Sequence, residues 1–158
     1  MPELRGALER AGFEQVRTYL QSGNVLLHRD APPERVAAAC RERVAKTFGL
    51  ELEVIARTVA ELGQVVERNP LGDVAVEPKR YQVSFLAGEL DEERVRELAA
   101  LATGEERFAA IGRELYAWHP HGVARSRLWS RLASPRLGVP ATARNWTTVT
   151  RLMAMSEG

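Results

Sequence analysis

The sequence contains a single cysteine, Cys40, and no apolar run long enough to cross a membrane. One thiol excludes an internal disulfide and a zinc site built from several thiolates. Cys40 shares the apolar stripe of a predicted helix with Val36, Val44 and Phe48, so we expect it to be buried. The opening residues, Met1–Arg5, lack the apolar core of a secretory signal. We therefore expect a cytoplasmic protein that does not enter membranes.

Acidic residues are absent from about a quarter of the chain. Residues 1–114 carry 16 basic and 20 acidic side chains, a net charge of −4, whereas residues 115–156 carry six arginines and no acid, a net charge of +6. Arginine outnumbers lysine 20 to 2 in the whole chain, so only the lack of acids distinguishes this region. A surface of this kind attracts anions. Its arginines are Arg125, Arg127, Arg131, Arg136, Arg144 and Arg151.

Familiar catalytic signatures are also missing. The sequence has no GxxxxGK[ST] phosphate loop, no GxGxxG dinucleotide motif and no Ser-His-Asp order. His119 and His121 flank Pro120 and could form part of a metal site, but no third ligand is evident. We therefore expect neither a metal nor a cofactor, and the sequence leaves open whether the protein is an enzyme.

The first part of the chain predicts a helix, a β-hairpin, a second helix, a strand and a third helix. Gly12 and Gly49 are placed to end the first two helices, and Thr58 with Glu61 forms a capping box for the third. The hairpin turn is Gln21–Asn24. The predicted elements are helix 4–11, strands 16–20 and 25–28, helix 32–48, strand 52–56 and helix 58–67.

The second part predicts a strand, a helix, two strands joined by a tight turn, and two further helices. The turn is Gly112–Glu114. The segment Asn69–Gly72 breaks the preceding helix and begins a connector that extends to Lys79. The predicted elements are strand 81–86, helix 91–101, strands 108–111 and 115–118, helix 123–133 and helix 142–154.

Both parts are fragments of one unit, the β-α-β-β-α-β ferredoxin-like motif. We therefore predict an α+β protein in which two related subdomains, residues 1–68 and 80–158, pack together within a single domain, residues 1–158. The first unit has no opening strand ahead of its first helix, although that strand lies between two others in the motif. Either another element replaces it, or the protein begins upstream of Met1 with an apolar strand and a glycine-rich turn.

Four strings of residues resemble the bacterial domain of unknown function 1697. They are Val16–Val25, Asn69–Leu71, Ser126–Trp129 and Arg144–Val149, and together they span nearly the whole chain. The resemblance implies a conserved bacterial fold, but it implies no activity. The resemblance implies that members of that family have an additional strand and a glycine-rich turn ahead of the helix that starts here at Leu4. This chain departs from the family pattern at that point. Such a turn would supply backbone amides suited to an anion, so a site that uses it would be incomplete here.

The candidate binding site lies near the end of the chain. If residues 142–154 are helical, Arg144, Thr147, Thr148 and Arg151 share one face, because they lie at positions i, i+3, i+4 and i+7. Arginine donates two parallel hydrogen bonds to phosphate or carboxylate, and a helix start adds exposed amides. We predict an anionic small-molecule site formed by Arg144, Asn145, Thr147, Thr148 and Arg151, assisted by Ser22 and Asn24 of the hairpin turn.

Other interpretations stay open. The same helix could be an ordinary solvated surface in which Asn145 caps the helix start. The six arginines, with Trp118, Trp129 and Trp146 nearby, also suit a nucleic-acid-binding module, although the helical spacing of Trp129 and Trp146 favours core positions. A protein-interaction role without a ligand is a third alternative. The sequence does not determine the oligomeric state.

Overall fold

A computed structural model describes residues 2–19 and 23–157 and contains both helices and antiparallel sheets. The amino-terminal half consists of two helices packed on one hairpin: α1 (Pro2–Arg10), β1 (Glu14–Tyr19), β2 (Asn24–His28) and α2 (Pro33–Phe48). The two strands form an antiparallel two-stranded sheet. Gly12 has φ +99° and Gly49 has φ +68°, a left-handed conformation that ends a helix and that glycine adopts without strain. The predicted antiparallel pairing of the two strands and both helix ends are confirmed, whereas Leu20, Gln21 and Ser22 of the predicted hairpin lie outside the described residues.

The carboxyl-terminal half contains four strands, and three α-helices follow the first of these strands. Helix α3 (Val59–Arg68) precedes it, and Thr58 forms the predicted capping box with Glu61. The remaining elements are β3 (Tyr81–Leu86), α4 (Glu92–Leu101), β4 (Arg107–Ile111), β5 (Glu114–Trp118), α5 (Arg127–Leu132), β6 (Ala141–Asn145) and α6 (Trp146–Ser156). Short 3₁₀ turns cover Pro78–Arg80 and Pro135–Leu137.

The four strands form one antiparallel sheet in the order β4-β5-β3-β6. This is the strand order of the β-α-β-β-α-β motif, in which the first strand lies between the third and the fourth. β3 therefore occupies the interior of the sheet, and five of its six residues are buried. The predicted α+β class with ferredoxin-like halves agrees with this arrangement.

The structure corrects three predicted elements. Residues 141–145 form β6 instead of the first turn of the last helix, because they pair with residues 82–86 of β3, a tertiary partner that local spacing does not reveal. Residues 52–56, predicted as a strand, have no strand partner among the described residues. The helix predicted from Val123 begins at Arg127, where Ser126 accepts a hydrogen bond from the backbone N–H of Trp129.

Three apolar clusters hold the elements together. One lies between the hairpin and the helices α1 and α2, and it includes Cys40 as a partly buried member. The second packs α4 and α5 against one face of the four-stranded sheet. The third packs α3 and α6 against the opposite face, where Trp146 stacks on Tyr81 with ring centroids 4.7 Å apart. The core position predicted for Trp146 follows from this stacking.

Helix α3 contacts the carboxyl-terminal half although it precedes the connector. Val65 is buried in the third cluster, and its carbonyl accepts a hydrogen bond of 3.2 Å from the hydroxyl of Tyr116. The division into subdomains at residues 68 and 80 stays a prediction.

Within residues 2–19 and 23–157, no helix has the length and apolar character needed to cross a membrane.

Candidate functional site

Arg144 joins the last strand to the hairpin of the opposite half. Its Nε donates to Oδ1 of Asn24 at 2.7 Å, and its Nη2 donates to the carbonyl of Gly23 at 2.6 Å. A third bond of 2.7 Å runs from Nη1 to the carbonyl of Ala143. Within the sheet, β6 pairs Arg144 with Val83 on the central strand. Arg144 and Asn24, 120 positions apart in the sequence, are therefore direct neighbours.

The charge of Arg144 is not neutralised by these contacts. All three acceptors are uncharged oxygens, and no carboxylate lies within 4.0 Å of the Arg144 guanidinium in the described part of the chain. Burial lowers the pKa of this guanidinium from its usual value, yet arginine stays protonated at neutral pH. The group has five N–H donors, and hydrogen bonds to the described residues use three of them. Within residues 2–19 and 23–157, the positive charge therefore has no carboxylate partner.

Asn145 caps the start of α6. Its φ and ψ of −75° and 163° are those of an N-cap residue, and its side chain accepts a hydrogen bond of 2.9 Å from the backbone N–H of Thr148. Asn145 therefore acts as the helix cap that the alternative interpretation of the sequence predicted. The first amides of a helix have no partner within the helix, and the cap uses one of them.

The predicted helical face is wrong, because Arg144 lies on a strand. Thr148 is buried, with 5% of its surface exposed, and it therefore points away from the exposed side of α6. Thr147 and Arg151 are exposed and share one side of the helix at positions i and i+4. Thr150 donates to the carbonyl of Trp146 at 3.0 Å. Ser22, the remaining predicted site residue, lies outside the described residues.

Two polar clusters were missed at the sequence level. The first is the ion pair between Arg57 and Glu114, whose side chains are 7% and 9% exposed and approach to 2.9 Å. At the sequence level, Glu114 was interpreted only as a turn residue. Arg57 directly precedes the cap of α3, and no motif around it indicates a buried ion pair. Their pairing depends on sequence positions 57 residues apart, so no local signal could have revealed it.

The second cluster contains Glu106, His119 and Ser126. Oε2 of Glu106 lies 2.7 Å from Nδ1 of His119 and accepts a hydrogen bond of 2.6 Å from the hydroxyl of Ser126. Burial raises the pKa of Glu106, but the hydrogen bonds from Ser126, His119 and the backbone of Thr103 outweigh it, so the net pKa is lowered. This cluster holds the turn before α5 against the start of β4.

The geometry of this cluster does not suit nucleophilic catalysis. In a catalytic triad the serine and the acid contact opposite nitrogens of the histidine, whereas Ser126 and Glu106 both lie beside Nδ1. The other nitrogen, Nε2, is buried and has no hydrogen-bond partner in the part of the chain that the structure describes. His119 also packs edge-on against Trp129, with ring centroids 5.8 Å apart. We interpret the cluster as structural.

A metal site is not formed by the described side chains: nowhere in residues 2–19 or 23–157 do three His, Cys, Asp or Glu groups come close enough together to hold an ion. His119 is buried on Glu106, whereas His121 is exposed.

The fold and these contacts define an α+β protein with a ferredoxin-like carboxyl-terminal half and an arginine between its halves that has no carboxylate partner among the described residues. The family model described as "Protein of unknown function (DUF1697)" matches residues 1–116. The chain belongs to this DUF1697 family. No curated protein matches the sequence.

A solved structure has the same fold. It is that of SP0830, a conserved bacterial protein from Streptococcus pneumoniae, with a TM-score of 0.72 and 19% sequence identity. The alignment covers 98% of this chain and 87% of the S. pneumoniae chain. At this identity the likeness concerns the fold alone.

Proposed function

We propose that the protein binds a small anionic ligand, carrying phosphate or carboxylate, beside Arg144. Asn24 orients the guanidinium from the hairpin, while Thr147 and Arg151 line the exposed side of α6. Asn145 and Thr148 hold the first turn of the helix through their cap hydrogen bond. Ser22 stays a predicted contributor from the hairpin turn.

The observation that carries this proposal is the half-buried charge of Arg144, which has no carboxylate within 4.0 Å in the described part of the chain. A partly buried charge costs free energy unless an opposite charge or strong hydrogen bonds stabilise it. Three neutral acceptors satisfy part of the guanidinium. An oxyanion would accept hydrogen bonds from the guanidinium N–H groups that the described residues leave unused, and it would neutralise the charge.

The surroundings support an anion over a cation. No acidic residue occurs between positions 115 and 156, and α6 begins just after Asn145, the neighbour of Arg144. The amides of a helix start carry a partial positive charge equivalent to about half an elementary charge. Both features raise the local positive potential beside the guanidinium.

Calorimetric titration with inorganic phosphate, pyrophosphate, adenosine monophosphate and citrate tests the proposal on the complete chain. We expect at least one to bind, and Arg144→Gln to weaken that binding by about tenfold or more, which corresponds to about 1.4 kcal/mol. The matched control is Arg136→Gln, because Arg136 is an exposed arginine of the same acid-free region. The proposal fails if no anion binds, or if both variants weaken binding equally.

Nucleic acid binding is the rival. The six arginines would then act together, although Arg131 already lies 3.8 Å from Glu97. Retention of DNA or RNA at low salt, lost steeply as salt rises and weakened equally by Arg136→Gln, would favour the rival. The cytoplasmic location expected from the sequence stays a prediction.

A further inference from the structure

We propose that α1, β1, β2 and α2 form a lid that turns about residues 49–54 and closes against β6 and α6, beside Arg144. The lid comprises the described residues 2–19 and 23–48. Its role in holding a ligand rests on the anion site proposed above, whereas the hinge depends only on how the two halves are joined.

The covalent connection between the halves is one irregular segment. Residues 49–58 contain no helix or strand. Ile55 already packs against the third apolar cluster, and Arg57 is bonded to β3 and β5, so both residues belong to the carboxyl-terminal half. The chain therefore crosses between the halves within residues 49–54. Such a segment can change its backbone dihedral angles without breaking a helix or a strand ladder, as a hinge must.

Each half has an apolar core of its own. The first cluster takes all its members from residues 4–48, whereas the other two take theirs from residues 55–149. Among the described residues, none of the three clusters combines side chains from both halves. Burial of apolar surface is the dominant favourable contribution to folding. Each half can therefore keep its internal packing while the two move relative to each other, as is usual for domains joined by a polar interface.

The contacts that do join the halves are polar and come from arginines. Nη2 of Arg17 on β1 donates to the carbonyl of Met155, in the last turn of α6, at 2.7 Å. Nη1 of Arg113 lies 3.8 Å from Oε1 of Glu34 on α2, and the Glu34 side chain is 71% exposed. Exposed contacts of this kind contribute little net stability, because water replaces either partner when they open. They can hold a lid closed and still release it.

Arg144 belongs to the lid contact and to the proposed anion site at the same time. Its Nε and Nη2 donate to Asn24 and Gly23 of the lid. An anion on the same guanidinium would restrict the side-chain rotamers of Arg144 and so lower the entropic cost of its bonds to the lid. A ligand that favours the closed arrangement shifts the population towards it. We therefore expect an anion at Arg144 to close the lid.

Distances between pairs of spin labels, measured by pulsed electron paramagnetic resonance, test the hinge on the complete chain. Ala38→Cys on α2 and Ala100→Cys on α4 place labels at exposed positions in different halves, after Cys40→Ala has removed the native thiol. The reference pair, Ala100→Cys with Ala154→Cys on α6, lies within the carboxyl-terminal half.

The lid contacts are removed by Arg17→Gln together with Asn24→Ala. Without ligand, we expect this double variant to widen the distance distribution between the halves by about twofold or more, because the hinge then samples open arrangements. The reference pair should keep its distribution. Arg17→Gln alone should widen the inter-half distribution in the same direction by a smaller amount, which provides the test in a variant with one exposed substitution.

The matched control is Arg35→Gln, because Arg35 is an exposed arginine on α2. It should leave both distributions as they are in the unmodified chain. The hinge is overturned if the double variant gives an inter-half distribution as narrow as that of the control. It is also overturned if the reference pair widens equally, because the chain would then loosen as a whole and would not turn about residues 49–54.

Inorganic phosphate and pyrophosphate separate the lid from the anion site. At concentrations that saturate binding in calorimetry, we expect the inter-half distribution of the double variant to narrow towards that of the unmodified chain. If an anion binds and the distribution does not narrow, the ligand-holding role of the lid is overturned while the anion site stands. If no anion binds, the anion site fails, and the widening measured without ligand alone decides whether the hinge stands.

Discussion

Arg57 forms a buried ion pair with Glu114, and this pair connects the segment before α3 to the central sheet. Its Nε lies 2.9 Å from Oε2 of Glu114, while Nη2 donates to the carbonyls of Leu86 and Arg113 at 2.8 and 3.1 Å. The guanidinium thus satisfies a carboxylate of β5, the carbonyl at the end of β3 and a carbonyl of the turn between β4 and β5. Because Arg57 directly precedes the cap of α3, the pair also positions that helix.

Removing one partner of the pair should be costly. We expect Arg57→Met to lower the free energy of unfolding by about 3 kcal/mol or more, because Glu114 would remain buried without its counter-charge. Urea unfolding measures the loss. The double variant Arg57→Met with Glu114→Gln should recover part of it, since the stranded charge is gone. A loss below about 1 kcal/mol in the single variant would contradict a buried, paired role.

Arg144 should contribute to stability through its fork of donors. We expect Arg144→Lys to lower the free energy of unfolding by about 1 to 2 kcal/mol, because an ammonium cannot bond Asn24 and Gly23 in the same planar geometry. Chemical denaturation without added anions measures this effect. The exposed Arg136→Lys serves as the control and should change stability by less than about 0.5 kcal/mol. Equal effects in both variants would mean that the cross-half contact contributes nothing.

Glu106 should make stability depend on acid pH. Its pKa is lower in the folded protein than its ordinary value of 4.5, so the folded state favours the ionised form. The stabilisation is therefore fully present above about pH 4.5 and is lost as the pH falls through the folded pKa. We expect Glu106→Gln to be less stable than the unmodified protein at neutral pH and to lose less stability on acidification.

The adjacent Glu105 provides the control for this prediction, because it is exposed. Glu105→Gln should reproduce the acid sensitivity of the unmodified protein in denaturant midpoints measured from pH 7 to pH 3. If Glu106→Gln shows the same acid sensitivity as Glu105→Gln, the hydrogen bonds from Ser126 and His119 do not favour the carboxylate.

The capping box of α3 can be tested independently of the buried clusters. Thr58 accepts from the backbone N–H of Glu61 at 3.0 Å, and the Glu61 carboxylate accepts from the backbone N–H of Thr58 at 2.8 Å. We expect Thr58→Ala to cost about 1 kcal/mol. Thr47→Ala, at an exposed position inside α2, should be neutral or slightly stabilising, since alanine has the higher helix propensity. Equal unfolding midpoints for the two variants would contradict a contribution from the cap.

Much of the local structure was predictable because its causes are local. Gly49 ends α2, and the box of Thr58 and Glu61 begins α3, since a turn of helix and its cap involve residues at most four positions apart. The strand β6 was missed for the opposite reason. Thr142–Asn145 could begin a helix or form a strand, and the backbone of β3 decided the outcome.

The candidate site follows the same division. The role of Asn145 as a helix cap was among the interpretations that local chemistry allowed. Arg144 and Asn24 were assigned to the same predicted site, but their direct hydrogen bond was not predicted. The helical face assumed for Arg144 and Thr148 was wrong, because one residue lies on a strand and the other is buried. The spacing of residues along the sequence shows which of them share a face only when the type of secondary structure is known.

The α+β class, the pairing of the first two strands, the helix caps and the acid-free region were all predictable from the sequence, because each depends on composition or on neighbours along the chain. In contrast, the pairing of residues 141–145 with β3, the ion pair of Arg57 with Glu114 and the contact of Arg144 with the hairpin became visible only in the folded structure. These contacts join residues far apart in the chain, and their free energy exists only once both halves have packed together.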